Sequence, residues 1–119
     1  MELEVSRRGK VLVVKPLESR LDASQAVDFK DKMTGYIREG NQQIVLNISD
    51  VEFIDSSGLG ALVTSLKLQK KEGGIAICGA RDTIKSMFKL TRMDRVFQMF
   101  DQEDEAVQGL SQNKMFSWS

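Results

Sequence analysis

Two periods of apolar and polar residues alternate along the chain. Leu3 and Val5 stand between polar neighbours, the pattern of a half-exposed edge strand, whereas Val11, Leu12, Val13 and Val14 form an unbroken, β-branched apolar run that reads as a strand covered on both faces. Gly9 between them marks a hairpin turn. From position 22 to about 38 the period changes. Ala26, Phe29, Met33, Tyr36 and Ile37 recur at helical spacing, with Asp28, Lys30, Asp31 and Lys32 opposite and Gly40 as the stop. Asp22, with Gln25 three residues on, reads as a capping pair for the first turn. Ile44, Val45, Leu46, Asn47 and Ile48 make a second buried strand, and after a short stretch Asp55-Ser56-Ser57-Gly58-Leu59-Gly60 opens another helix. Leu59, Leu62, Val63 and Leu66 share one face of it, while Gly58, Ala61 and Ser65 give a second face of small residues. Gly73-Gly74 ends that segment and Ile75, Ala76, Ile77 and Cys78 form a third buried strand. Beyond Asp82, the residues Ile84, Met87, Phe88 and Leu90 repeat at helical spacing. Positions 96 to 100 read as a last strand, and about 102 to 110 as a short acidic helix.

Strands joined by helices become parallel neighbours, and a leading hairpin makes the sheet mixed. The expected fold is therefore α/β, a single domain over residues 1–110 with a central sheet of four to five strands and about four helices. The tail, residues 111–119, carries Met115, Phe116 and Trp118 without a period, and no element is assigned to it.

Composition narrows the chemistry. The 119 residues hold 17 Lys+Arg against 17 Asp+Glu, so no basic field points to nucleic acid or anionic lipid. Arg7-Arg8 and Lys70-Lys71 are the nearest basic clusters, and each is only a pair. The absence of histidine excludes Ser-His-Asp and Cys-His nucleophile pairs and the usual His/Cys zinc sites. A lone Cys78 suits a reducing compartment. No signal-peptide core or membrane-length apolar run is present, and the expected location is cytoplasmic.

Gly58-Leu59-Gly60 at a strand-to-helix turn suggests phosphate binding, but Val63 stands where the third glycine of a dinucleotide fingerprint belongs, and no phosphate-loop lysine motif exists. Ser56 beside Asp55 suggests a nucleophile, yet no histidine or motif lysine is near in sequence to act as its base. Asp101, Glu103, Asp104 and Glu105 lack the spacing of a calcium loop and read as a helix start complementing the dipole. Cys78, like Met87, Met93 and Met99, reads as core. On spacing alone, Ser56 or Ser57 serves as an ordinary N-cap.

Set after the 44–48 strand and Phe53-Ile54, the hexapeptide Asp55-Ser56-Ser57-Gly58-Leu59-Gly60 closely resembles the signature of STAS-domain anti-anti-sigma factors, the anti-sigma factor antagonists of bacterial partner-switching systems. The resemblance extends to Leu21-Asp22, Gly73-Gly74, Ile84, Phe88, Leu90 and the 96–100 strand, roughly residues 4 to 110. It implies that Ser56 is phosphorylated by an anti-sigma serine kinase of the GHKL type and dephosphorylated by a metal-dependent, PP2C-like serine phosphatase. In such a system the unphosphorylated form binds the kinase and frees the sigma factor. Asp22, Asp55, Ser56, Ser57, Gly58 and Gly60 match the partner-contacting region, with a partner expected to approach closely over the small residues Gly58 and Ala61. The resemblance implies no catalytic residue, metal site or cofactor in this chain, which would be a substrate and not an enzyme. One departure is visible: family members often carry glycine shortly before the Leu-Asp pair, where this loop reads Pro16-Leu17-Glu18-Ser19-Arg20-Leu21-Asp22. An alternative within the same fold is a scaffold subunit of a stress-signalling or transport complex.

Overall fold

In the computed structural model, which describes residues 1–69 and 74–116, strand β1 (Leu3–Arg8) folds back antiparallel on β2 (Val11–Pro16). Gly9 turns the hairpin at φ +63°, a left-handed conformation that glycine adopts without a side-chain penalty. β2 pairs in parallel with β4 (Ile44–Asn47), β4 with β6 (Ile75–Cys78), and β6 with β7 (Gln98–Phe100). The sheet therefore has five strands in the order β1-β2-β4-β6-β7, mixed at one edge.

The two-sided apolar runs are explained by helices on both faces. Leu12, Val14, Ile44, Leu46, Ile75 and Ile77 point toward Phe29 and Met33 of α1 (Ala23–Arg38), Leu62 of α2 (Ser56–Leu68) and Ile84 and Phe88 of α3 (Asp82–Leu90). The alternate residues Val11, Val13, Val45, Ala76 and Cys78 face Ala106 and Leu110 of α4 (Glu103–Phe116). Among the described residues, one helix covers this second face. The side chains there are smaller, and Gly109 sits so close to the Phe100 ring that an added Cβ would lie 2.4 Å from Cζ.

Several expectations change. The loop expected around Leu21 and the short stretch around Phe53, to which the sequence pattern assigns no element, pair with each other: β3 (Arg20–Leu21) and β5 (Phe53–Ile54) form a separate two-stranded parallel ladder. Val96 and Phe97 precede the last strand, because a 3₁₀ turn at Met93–Arg95, entered through Arg92 at φ 61°, occupies that segment. Leu90 closes α3 at 84% exposure and is not core. The acidic helix runs on to Phe116, six residues past the expected end. Lys70, Lys71, Gly73 and Trp118 lie outside the described residues.

Candidate functional site

β3 and β5 each run directly into a helix, so their pairing sets the N-termini of α1 and α2 side by side. Asp22 caps α1: one oxygen accepts from the Ser24 amide at 3.0 Å and from the Ser24 hydroxyl, and the other accepts from Arg20 Nε at 3.1 Å. This replaces the expected pairing with Gln25. The Ser24 hydroxyl first, then Arg20, hold the Asp22 carboxyl below the usual carboxylate range. Arg20 also lies over the Phe53 ring, 4.5 Å from its centroid, and shields one side of an aromatic that remains 42% exposed.

The cap of α2 is Asp55, and neither serine serves as N-cap. Its Oδ1 accepts from the Gly58 amide at 2.9 Å, and its Oδ2 reaches across to accept from the Ala23 amide at 3.2 Å. One carboxylate thus ties both helix starts together. Ser56 becomes the first helical residue and is exposed, and its hydroxyl takes no hydrogen bond from the described residues. Ser57 and Gly60 are also exposed, with nothing within 4 Å of an added Cβ at Gly60.

Gly58 differs from the expectation of a partner approaching over it. It is buried, and a Cβ there would lie 2.0 Å from the Leu21 carbonyl oxygen, so the close approach it permits is made by this chain's own β3. Ala61 and Ser65 are buried on the same side of α2, and Ser65 returns its hydroxyl to the Ala61 carbonyl at 2.9 Å. The small face lets α2 pack closely against its own neighbours. Ser57, Ala61 and Thr64 line a shallow groove of about 160 Å³ with Ala26, Val27 and Lys30 of α1.

Sequence reasoning passed over Arg20, Ala23, Ser24 and Phe53. For Arg20 a signal existed, since a cation two residues before an acid in an extended segment lies on the same side as that acid. Nothing local announces the Ala23 amide as a partner of Asp55, which is 32 residues away.

The arrangement suits an acceptor of charge at one hydroxyl. A phosphoryl group on Ser56 would lie at a helix N-terminus, where free N–H groups and the dipole favour an anion, and would share that surface with Asp22 and Asp55. Among the described residues no group of three metal-ligating side chains occurs, and no helix is long and apolar enough to cross a membrane. Cys78 is buried beneath α4.

The sequence model of the STAS domain matches residues 2–106. A Thermotoga maritima protein described as a candidate anti-sigma factor antagonist is 34% identical over 74 residues, which make up 61% of this chain and 66% of that protein. The crystal structure of an anti-sigma factor antagonist candidate from Thermotoga maritima, 28% identical, superposes with a TM-score of 0.83 over 92% of this chain and 94% of that chain. The anti-sigma F factor antagonist of Paenibacillus polymyxa is 27% identical over 109 residues, covering 90% of this chain and 92% of that protein. The anti-sigma factor antagonist SpoIIAA of Bacillus shares the fold at 20% identity, with TM-scores of 0.70 for its unphosphorylated and 0.68 for its phosphorylated form; these matches cover 92% and 90% of this chain and 98% and 97% of the other.

Proposed function

Because this chain belongs to the STAS domain family, we propose that it is an anti-sigma factor antagonist whose binding to an anti-sigma serine kinase is ended by phosphorylation of Ser56. The observation that carries this reading is the state of Ser56, exposed and without a hydrogen bond among the described residues, at the start of a helix already capped by Asp55. A serine used for capping would not leave its hydroxyl available. This one does.

The partner surface is Asp22, Asp55, Ser56, Ser57 and Gly60, with Gly58 acting beneath it by seating α2 against Leu21. A phosphate brings about 1.5 to 2 negative charges beside two carboxylates, and enclosing that group in an interface without a new cation costs several kcal/mol. About 4 kcal/mol is near a thousandfold in affinity. The fold tolerates the modification because the charge sits at a helix N-terminus. The kinase of the GHKL type and the PP2C-like phosphatase supply the chemistry, and this chain supplies the hydroxyl and the docking face.

The test incubates the chain with its anti-sigma kinase and Mg-ATP, maps the phosphate by mass spectrometry, and measures kinase binding by titration calorimetry. Phosphate on Ser56 alone and a loss of at least ~100-fold in affinity are expected. An unmodified Ser56, together with undiminished binding by Ser56→Asp, would overturn the reading.

A further inference from the structure

β1 ends the sheet with one edge bare of any described strand, paired on its other side to β2 from Leu3↔Pro16 to Arg8↔Val11. In an antiparallel ladder alternate residues turn both backbone groups toward the partner or both away. Three observations fix the alternation here. Leu17 donates its N–H to the Glu2 carbonyl at 2.9 Å, so even-numbered residues face β2. Leu3 stands opposite Pro16, which has no N–H to give. Leu12, opposite Arg7, donates instead to Gln43 on its other side at 2.9 Å. Leu3, Val5 and Arg7 therefore aim three N–H and three C=O groups away from β2, along an edge with no proline or bulge to blunt it. Val5 is 41% exposed although its cross-strand neighbour Val14 is fully buried.

We propose that this edge pairs antiparallel with the same edge of a second copy, about a two-fold axis at Val5, giving one continuous sheet of ten strands. In that register Leu3 faces Arg7 of the second copy and Val5 faces its own equivalent, and the six outward groups of each copy are all used. Glu4 falls opposite Ser6 and Glu2 opposite Arg8, so the acidic half of each strand meets the basic half of the other. Arg8 already lies 3.1 Å from Glu103 and 2.8 Å from Asp104 of its own chain, so the ladder and the Val5 contact carry more of the association than this ion pair. Other arrangements are worse. Parallel pairing sets Arg7 and Arg8 against themselves, an axis at Glu4 sets Glu4 against Glu4, and an axis at Ser6 draws the Gly9 turn into the ladder. The second copy is the occupant because both partners bring the same bare groups in complementary order.

A single strand pair buries a small area, so the dimer is weak and concentration-dependent. It engages no residue of the Ser56 motif. Sedimentation equilibrium of the full chain from ~10 µM to ~1 mM is expected to show the average mass rising toward twice that of the monomer. Val5→Pro removes an outward donor without touching the β2 ladder, and Val5→Lys sets two ammonium groups face to face. Each is expected to weaken association at least tenfold with unchanged far-UV circular dichroism and melting. Amide exchange at Leu3, Val5 and Arg7 is expected to slow as concentration rises, while Glu4 and Ser6 stay protected throughout. A wild-type chain that remains monomeric over the whole range, or folded Val5→Pro and Val5→Lys variants that associate as wild type does, would overturn the proposal.

Discussion

Gly58 and Gly60 stand two positions apart on α2 and carry opposite constraints. At Gly58 a Cβ would lie 2.0 Å from the Leu21 carbonyl oxygen and 3.1 Å from Ile54, and neither the backbone carbonyl nor the buried isoleucine can move away without shifting β3 or β5. Overpacking of this kind costs about 3 kcal/mol. At Gly60 a Cβ meets nothing, and alanine gains about 1 kcal/mol of helix propensity. Gly58→Ala should therefore lower the urea midpoint, and Gly60→Ala should leave it unchanged or raise it, with similar m-values. Kinase binding separates them again: Gly60→Ala lies on the proposed docking face and is expected to weaken binding despite its stability. The two glycines look alike in the hexapeptide. Only the position of the Leu21 carbonyl distinguishes them.

At the scale of elements, Asp55 joins α1 to α2. Its two oxygens satisfy one N–H at the start of each helix, Gly58 at 2.9 Å and Ala23 at 3.2 Å, so Asp55→Ala leaves both donors without their partner. The expected loss is about 2 kcal/mol; Asp55→Asn, with one acceptor oxygen, should lose about half of it, measured by urea unfolding. This junction also marks how far local pattern reaches. The buried strands and α1 to α3 follow from runs and periods several residues long, and their bounds lie within a few residues of the expected ones. β3 and β5 have two residues each, too few for any period to show, and exist because parallel pairing aligns Arg20 with Phe53 and Leu21 with Ile54 across 33 positions of sequence. Leu90 misleads for the opposite reason: it fits the helical period but falls at the last position of α3, past the point where the helix meets the core. Ser56 was legible as a motif residue. Its availability was not, because that depends on Asp55 being the cap.

For the molecule as a whole, the two faces of the sheet are protected unequally, among the described residues by three helices on one and by α4 on the other, and the thinner side holds a titratable core group, Cys78. Cys78 is fully buried among Val13, Val45, Ala76 and Ala106, and this desolvation first, with the charge of Glu103 second, pushes its thiol from 9.0 up to about 11. Glu103 is held near it by Arg8 at 3.1 Å and by Asn47 at 3.1 Å. The folded chain thus keeps the Cys78 proton over a range where the unfolded chain has lost it. With the folded value raised, this contribution to stability is fully present below pH 9 and is lost as pH rises through about 11. Cys78→Ala removes the titrating group, so its urea midpoint, lower at pH 7 for want of the sulfur's packing, should fall less steeply between pH 9 and pH 11 than that of wild type. Every other ionisable group is common to both proteins, so the difference between the two slopes isolates the thiol. Equal slopes would mean that α4 opens readily enough to hydrate Cys78 in the folded state. Alkylation of Cys78 by iodoacetamide at pH 8 would then run far faster than global unfolding, whereas a closed α4 predicts that the two rates coincide.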